Sequence, residues 1–319
     1  MNRTLHAVLL FALLLARGAV ADEHSPAVLV TGASSGIGLK ITERLSSNGF
    51  HVFAGARKAE DLARLDAMPN VEAVRLDVTY PEDIEAAVRK ITAAGRGLHG
   101  LVNNAGVASI GPLIETDIAE LEWLFDVNVY GPYRVTQAFA PLLLESGGRV
   151  VNISSISGIL SGGGLGIYSM SKHAIEAYTD ALAAELAPFG VEVIAIEPGN
   201  FNSRIGETIE KRLEEGNVDL ESERYGDRLR AMQVGMADRS RYPEPDAVAE
   251  AVEHALFDER PKRRYMVTPT QREAEITITK AIEELVQLNE DHAHSYDREA
   301  LVQMLDAALQ RSRLARQAE

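Results

Sequence analysis

From Ala27 to Pro198 the chain alternates between two hydrophobic patterns. Short runs of branched apolar residues recur: "AVLVTG" at its start, "HVFAGAR", "VEAVRLDV", "LHGLVNNAG", "GRVVNISS" and "VEVIAIEPG". Each has the length and composition of a buried strand. Between them lie stretches with apolar residues every three or four positions, the spacing of one helix face. "GIGLKITERLSSNG" carries Ile37, Ile41 and Leu45 and stops at Gly49. A short helix is expected over 58–67, and "PEDIEAAVRKITAAG" opens with Pro81 in its first turn, where a missing N–H costs nothing. A long helix over 117–146 carries Leu121, Leu124, Phe125 and Val135, and another begins at Tyr168. Near-continuous apolar strands separated by helices imply a parallel sheet covered on both faces.

The pattern predicts an α/β fold: a doubly wound, Rossmann-like parallel sheet of about seven strands with right-handed crossovers. "RRYMVT" late in the chain supplies a short further strand, and "PDAVAEAVEHALF" a helix before it. One dinucleotide-binding catalytic domain is expected over 22–319. Within it, the charged segment 200–242 reads as a helical lid, and 270–319 as a helical extension. In that extension Leu301, Met304, Leu305 and Leu309 form an amphipathic stripe, expected to cap the core or a dimer.

The N-terminus follows other rules. Arg3 precedes an apolar core from Ala7 to Ala16, and small residues end in Ala19-Val20-Ala21. This is the layout of a signal peptide cut after Ala21, too short to span a bilayer, which takes roughly twenty residues. Residues 1–21 are therefore expected to be an export signal, giving a periplasmic or secreted protein. An uncleaved membrane anchor or a cytoplasmic product is the alternative.

Composition narrows the chemistry. The 319 residues carry a formal net charge of −15, which argues against a nucleic-acid surface. Without a single cysteine, disulfides and thiolate chemistry are excluded. The eight histidines show no metal-binding spacing beyond His292 and His294 in an acidic stretch, and no metal is expected.

Two stretches carry chemical signals. "TGASSGIG" places Gly32, Gly36 and Gly38 between a strand and a helix, where backbone N–H groups and the helix dipole can receive a phosphate. In "YSMSK", Tyr168 and Lys172 sit one helical turn apart on one face. A phenol of ordinary pKa about 10 is a poor acid or base at neutral pH, and a cation so placed is expected to lower it. "SGGGLG" (161–166) is expected to border a substrate and leave it space.

The glycine spacing TGxxxGxG, "NNAG" at 103–106, "NVYG" at 128–131, "YSMSK" and "EPG" at 197–199 come in an order that resembles the compact, single-domain branch of the short-chain dehydrogenase/reductase family. The resemblance covers Ala27 to Ser203. It implies a catalytic set of Asn128, Ser155, Tyr168 and Lys172. Ser154 competes with Ser155, and the family's spacing of thirteen residues before the tyrosine selects Ser155. Lys172 is also expected to reach the nicotinamide ribose, and Asn128 to hold a water relay behind it. Cofactor contacts are implied at Gly32, Ser35, Gly36, Ile37, Gly38, Asp77, Val78, Asn104, Ala105, Gly106, Pro198 and Gly199, besides Tyr168 and Lys172.

At the end of the second strand, Ala56 stands where an acidic residue would bind the ribose hydroxyls of NAD, and Arg57 follows it. An arginine there accommodates the extra phosphate of NADP, so NADP is expected, with NAD as the second candidate. The implied activity is interconversion of a secondary alcohol and a carbonyl on a small molecule. "EPGNF" faintly resembles relatives acting on lipophilic, retinoid- or steroid-like alcohols. A dinucleotide-binding regulatory or scaffold protein with vestigial chemistry is the alternative. A homodimer or homotetramer is expected, through apolar positions including Phe139, Leu142, Tyr178, Leu182 and Leu186.

Overall fold

The computed structural model describes residues 25–237 and 239–315, so the expected leader lies outside the described residues. Seven strands form one sheet in the order β3-β2-β1-β4-β5-β6-β7, and every pairing is parallel. They are β1 (Ala27–Val30), β2 (His51–Ala56), β3 (Val71–Arg75), β4 (Gly100–Asn103), β5 (Arg149–Ile153), β6 (Glu192–Pro198) and β7 (Arg264–Val267). The strand order reverses direction at β1, which pairs with both β2 and β4. The loops leaving the carboxyl ends of β1 and β4 therefore open a crevice, the usual ligand position in such sheets.

Alternation along the strands feeds two cores. Val28 and Val30 face one layer, where α1 (Gly36–Ser47) and α9 (Asp246–Phe257) contribute Ile41, Leu45, Val248 and Val252. Ala27 and Leu29 face the other. There α3 (Pro81–Ala94) and α5 (Gly131–Ser146) contribute Ile84, Ile91, Val135 and Phe139. The short α2 (Ala59–Asp66) adds Leu65 to the first layer. Phe139 is fully buried in the chain's own core. It is therefore unavailable to an oligomer interface, contrary to the expectation from its place in the helical stripe. Leu142, Leu182 and Leu186 are only partly buried against the same core.

The long helix expected over 117–146 is interrupted. It runs as α4 (Ile118–Phe125), a π-helical turn Asp126–Tyr130, and α5. Asp117 caps its start by accepting a hydrogen bond from Ala119 N at 2.8 Å. The Tyr168 helix is α6 (Gly166–Leu186). Two helices cover the cavity mouth where a lid was expected, α7 (Ile205–Glu214) and α8 (Gly226–Ala237). The chain then ends with α10 (Gln271–Asn289) and α11 (Arg298–Ala315). Among the described residues no helix is long and apolar enough to cross a membrane.

Candidate active site

The turn after β1 is shaped by its glycines. Gly32 and Gly36 hold φ of +64° and +52°, the left-handed region that a side chain disfavours. Gly38 has no room for one: an added Cβ would overlap Gly32 O and Asn104 Nδ2. Asn104 fixes the turn from the neighbouring loop, donating from Nδ2 to Thr31 O at 2.9 Å and Gly32 O at 3.1 Å. Thr31 Oγ1 accepts from both Asn104 N and Ala105 N at 3.0 Å. The two loops of the crevice thus brace each other, and α1 begins immediately beyond with its N-terminus toward the cavity.

At the outer rim, Asp77 accepts from Thr79 N at 3.0 Å and Thr79 Oγ1 at 2.7 Å. Its other oxygen lies 3.5 Å from Arg57 Nη1. Lys58 lines the same rim. Sequence reasoning passed over it, although its place directly after Arg57 was the available signal.

The inner end is built from buried groups. Ser155 closes β5 and caps the turn Ile156–Gly158, its Oγ accepting from Ser157 N at 3.1 Å. Its Oγ also donates to Pro198 O at 3.4 Å, and the hydroxyl acts on the Tyr168 phenol. Lys172 is buried and donates from Nζ to Ile153 O at 2.9 Å. Its Nζ lies 5.7 Å from the centre of the Tyr168 ring. Asn128 stands on the π-helical turn, a helix irregularity that recurs at functional sites. Its Nδ2 donates to Val107 O at 2.9 Å and Ser171 Oγ at 3.1 Å, while Oδ1 accepts from Val107 N at 2.9 Å. One lone pair of Oδ1 is left. That oxygen and Lys172 Nζ both border the space beside Gly106, 3.5 and 3.9 Å from where a Cβ would stand. Asn128 is thus at least a clamp between the β4 loop and α6.

The electrostatics differ from the sequence expectation at one point. Burial pushes the Tyr168 phenol above its ordinary pKa; the Ser155 hydrogen bond and the Arg239 charge pull the other way. Burial also lowers Lys172 to about 8, against a raising pull from Glu176. Proximity on one helix face was outweighed by desolvation, which disfavours the charged form of both groups.

One cavity of about 680 Å³ joins all of these parts. Every residue expected from the sequence to touch cofactor borders it, from Gly32 and Ser35 through Asp77 and Asn104 to Pro198 and Gly199. Ser155, Tyr168 and Lys172 border it too, whereas Asn128 stands one layer behind. Of the 161–166 loop, Gly162 and Leu165 reach the cavity. Gly163 and Gly164 lie under α8, where an added Cβ would meet Arg228 and Met232. Arg239 and Glu273 also line the cavity and were not foreseen, because they come from outside the recognised motifs. His173 is turned to its own helix, with Nδ1 2.8 Å from Ser169 O. Among the described residues no group of three potential metal ligands comes together.

Comparison with known proteins points one way. Residues 26–214 match the profile of the short chain dehydrogenases. The uncharacterized oxidoreductase YbbO of Escherichia coli is 37% identical over 243 residues, covering 76% of this chain and 85% of its own. A short-chain dehydrogenase from Streptomyces avermitilis superposes with a TM-score of 0.72 at 33% identity, over 84% of this chain and 96% of that one. A Burkholderia cenocepacia short chain dehydrogenase in complex with NADP does so with a TM-score of 0.64 at 25% identity, over 83% and 97%.

Proposed function

Because this chain belongs to the short-chain dehydrogenase/reductase family, we propose that it is an NADP(H)-dependent oxidoreductase interconverting a secondary alcohol and a carbonyl. One observation carries the reading. Ser155, Tyr168 and the buried Lys172 line a single cavity with the glycine turn. The residues fit a nicotinamide dinucleotide: the turn excludes side chains at Gly32, Gly36 and Gly38, as a backbone approached by phosphates must. Arg57 and Lys58 offer positive charge at the rim, where a ribose phosphate would lie. When bound, the cofactor supplies or accepts a hydride.

The chain's own part is the proton. Ser155 Oγ hydrogen-bonds the substrate oxygen and holds it against Tyr168. Burial keeps the phenol protonated, which suits donation to the oxygen as a carbonyl is reduced. Lys172, held by Ile153 O, would offer its ammonium to the cofactor's ribose. The lid offers a largely apolar inner face made by Ile209, Leu229, Met232 and Met236, consistent with a lipophilic substrate.

A panel of ketones and secondary alcohols, assayed with NADPH and NADH, tests the reading. Reduction of at least one carbonyl compound with a preference for NADPH is expected; nucleotide binding without turnover on any member would favour a vestigial site. Export through residues 1–21 and homo-oligomer formation belong to the same proposal. A mature N-terminus at Asp22 in fractionated cells, read by mass spectrometry, would support the first.

A further inference from the structure

Three arginines border the cavity, and their partners differ. Arg57 faces Asp77 at 3.5 Å and Arg204 faces Glu207 at 2.6 Å. Arg239, the third, has no carboxylate of the described residues within ion-pairing distance of 4 Å. Its bonds go to neutral groups. Nη2 donates to Phe201 O at 3.0 Å and to Asn200 Oδ1 at 3.4 Å, and Nε reaches Phe201 O at 3.4 Å. The guanidinium also stacks on the Tyr242 ring, 4.6 Å from its centre.

Among the described residues, the carboxylate acting on it is Glu273. That carboxylate is already engaged, accepting from Asn200 N at 2.8 Å and from Thr270 Oγ1 at 3.3 Å. Burial holds the Arg239 pKa below its usual value, the sign of a cation taken from water without a compensating anion. A half-buried charge kept in this state is ready to take a ligand anion.

Two further observations fix what the ligand would be. Arg239 and Tyr168 line the same cavity, so an anion held by Arg239 would share the space in which Tyr168 meets substrate. Beyond both residues the wall turns apolar, with Ala108, Ile209 and Met236 bordering the cavity. We propose that Arg239 anchors the carboxylate of an aliphatic oxo acid or hydroxy acid, the carboxylate a few bonds from the reacting carbon and the chain running under α7 and α8.

This rests on the oxidoreductase reading and adds the substrate class to it. For a 3-oxo acid the balance is R–CO–CH2–COO⁻ + NADPH + H⁺ → R–CHOH–CH2–COO⁻ + NADP⁺. The carbonyl carbon receives the hydride and becomes a C–H centre. Its oxygen takes the Tyr168 proton, which solvent then restores, while the carboxylate on Arg239 is unchanged.

The test compares 3-oxohexanoate with its methyl ester in NADPH oxidation by the full-length enzyme. Wild type should prefer the acid, and Arg239→Met should lower the acid-to-ester ratio of kcat/KM by about ten- to a hundredfold, the range of a charged hydrogen bond. Arg239→Lys should recover part of that ratio. Independently of any variant, calorimetry on the NADP-loaded wild type should detect binding of hexanoate but not of hexanamide.

Equal losses for acid and ester would assign Arg239 to Tyr168 or to the fold and overturn the proposal. A parallel loss of NADPH affinity in Arg239→Met would assign the charge to a cofactor phosphate, with the same result. Reduction of 2-hexanone and the ester with rejection of the acid would overturn this inference alone. Failure of every carbonyl compound to oxidise NADPH would overturn the oxidoreductase reading beneath it.

Discussion

The two ends of the cavity use the same kinds of side chain under opposite conditions. At the rim, Arg57 is 67% exposed and its direct pairing with Asp77 is screened by solvent. Such a pair is worth at most about 1 kcal/mol. At the inner end Lys172 is buried, its ammonium donates to the backbone carbonyl of Ile153, and its pKa falls to about 8. Tyr168 moves the other way for the same reason. Position in the dielectric, more than identity or spacing, decides how strongly a charge acts. Substitutions at the inner end should therefore change chemistry and pH response, and those at the rim should change only the choice between nucleotides.

The largest effect is expected at Tyr168. Tyr168→Phe keeps the ring and removes the proton, so kcat should fall by about 10²- to 10⁴-fold, the usual contribution of positioned proton transfer. Cofactor affinity, measured by fluorescence titration, should barely change. A near-normal kcat on a confirmed substrate would remove Tyr168 from the chemistry and the contrast between the two ends with it.

Next comes the buried lysine. The folded Lys172 pKa of about 8 lies below the ordinary 10.5. Between those values the unfolded chain holds a proton that the folded one has released, so stability rises with pH through this window. Below pH 8 both states are protonated and the burial penalty is felt in full. Relative to Lys172→Met, the wild type should therefore gain up to a few kcal/mol in denaturant unfolding between about pH 8 and 10.5. The variant should also be the more stable of the two at pH 7 while losing turnover. A pH-independent difference would show that Lys172 is not desolvated, and that the inner end resembles the rim.

How much of this was legible in the chain follows the same division. Strand runs and helix periods arise from local geometry, so the sheet, the glycine turn and the helix bearing Tyr168 could be read directly. The motifs also placed Ser155, Asn104 and Gly199 around one cavity, because each follows a strand end and all the strands run parallel. The pKa directions were not legible: the spacing of Tyr168 and Lys172 gives proximity, and only the packed structure gives burial. Arg239 was equally hidden. It lines the cavity of Tyr168 from about seventy positions away in sequence, in a segment whose register no short pattern sets. Phe139 failed for a related reason, since a helical stripe shows that a residue is buried without showing against what. The π-helical turn at Asp126–Tyr130 had no sequence signal beyond the "NVYG" motif that overlaps its end.

At the rim the expected change is smaller and selective. Arg57→Ala should weaken NADPH about tenfold, the loss of one charge-assisted contact, and leave NADH nearly untouched. Dissociation constants for both nucleotides check this directly. Lys58, at the same rim, sets a limit: if Arg57→Ala has no effect and Lys58→Ala does, the selectivity belongs to the neighbour. Equal losses for both nucleotides would mean that Arg57 supports the turn rather than the phosphate.

The smallest expected effect sharpens the comparison from outside the cavity. Asp117 is a surface cap at the start of the helix whose π turn carries Asn128, and its carboxylate accepts from Ala119 N at 2.8 Å. Removing an N-cap carboxylate costs about 1 kcal/mol, so Asp117→Ala should lower stability by roughly that amount in urea unfolding. Asn128 itself is held by three hydrogen bonds from Val107 and Ser171, none of which involves the first turn of α4. The cap loss should therefore stop before it reaches the site, and kcat should stay at the wild-type value. A fall in kcat larger than the loss of folded protein would show that the clamp depends on the helix start. The inner end would then be coupled to its exposed surroundings rather than insulated from them.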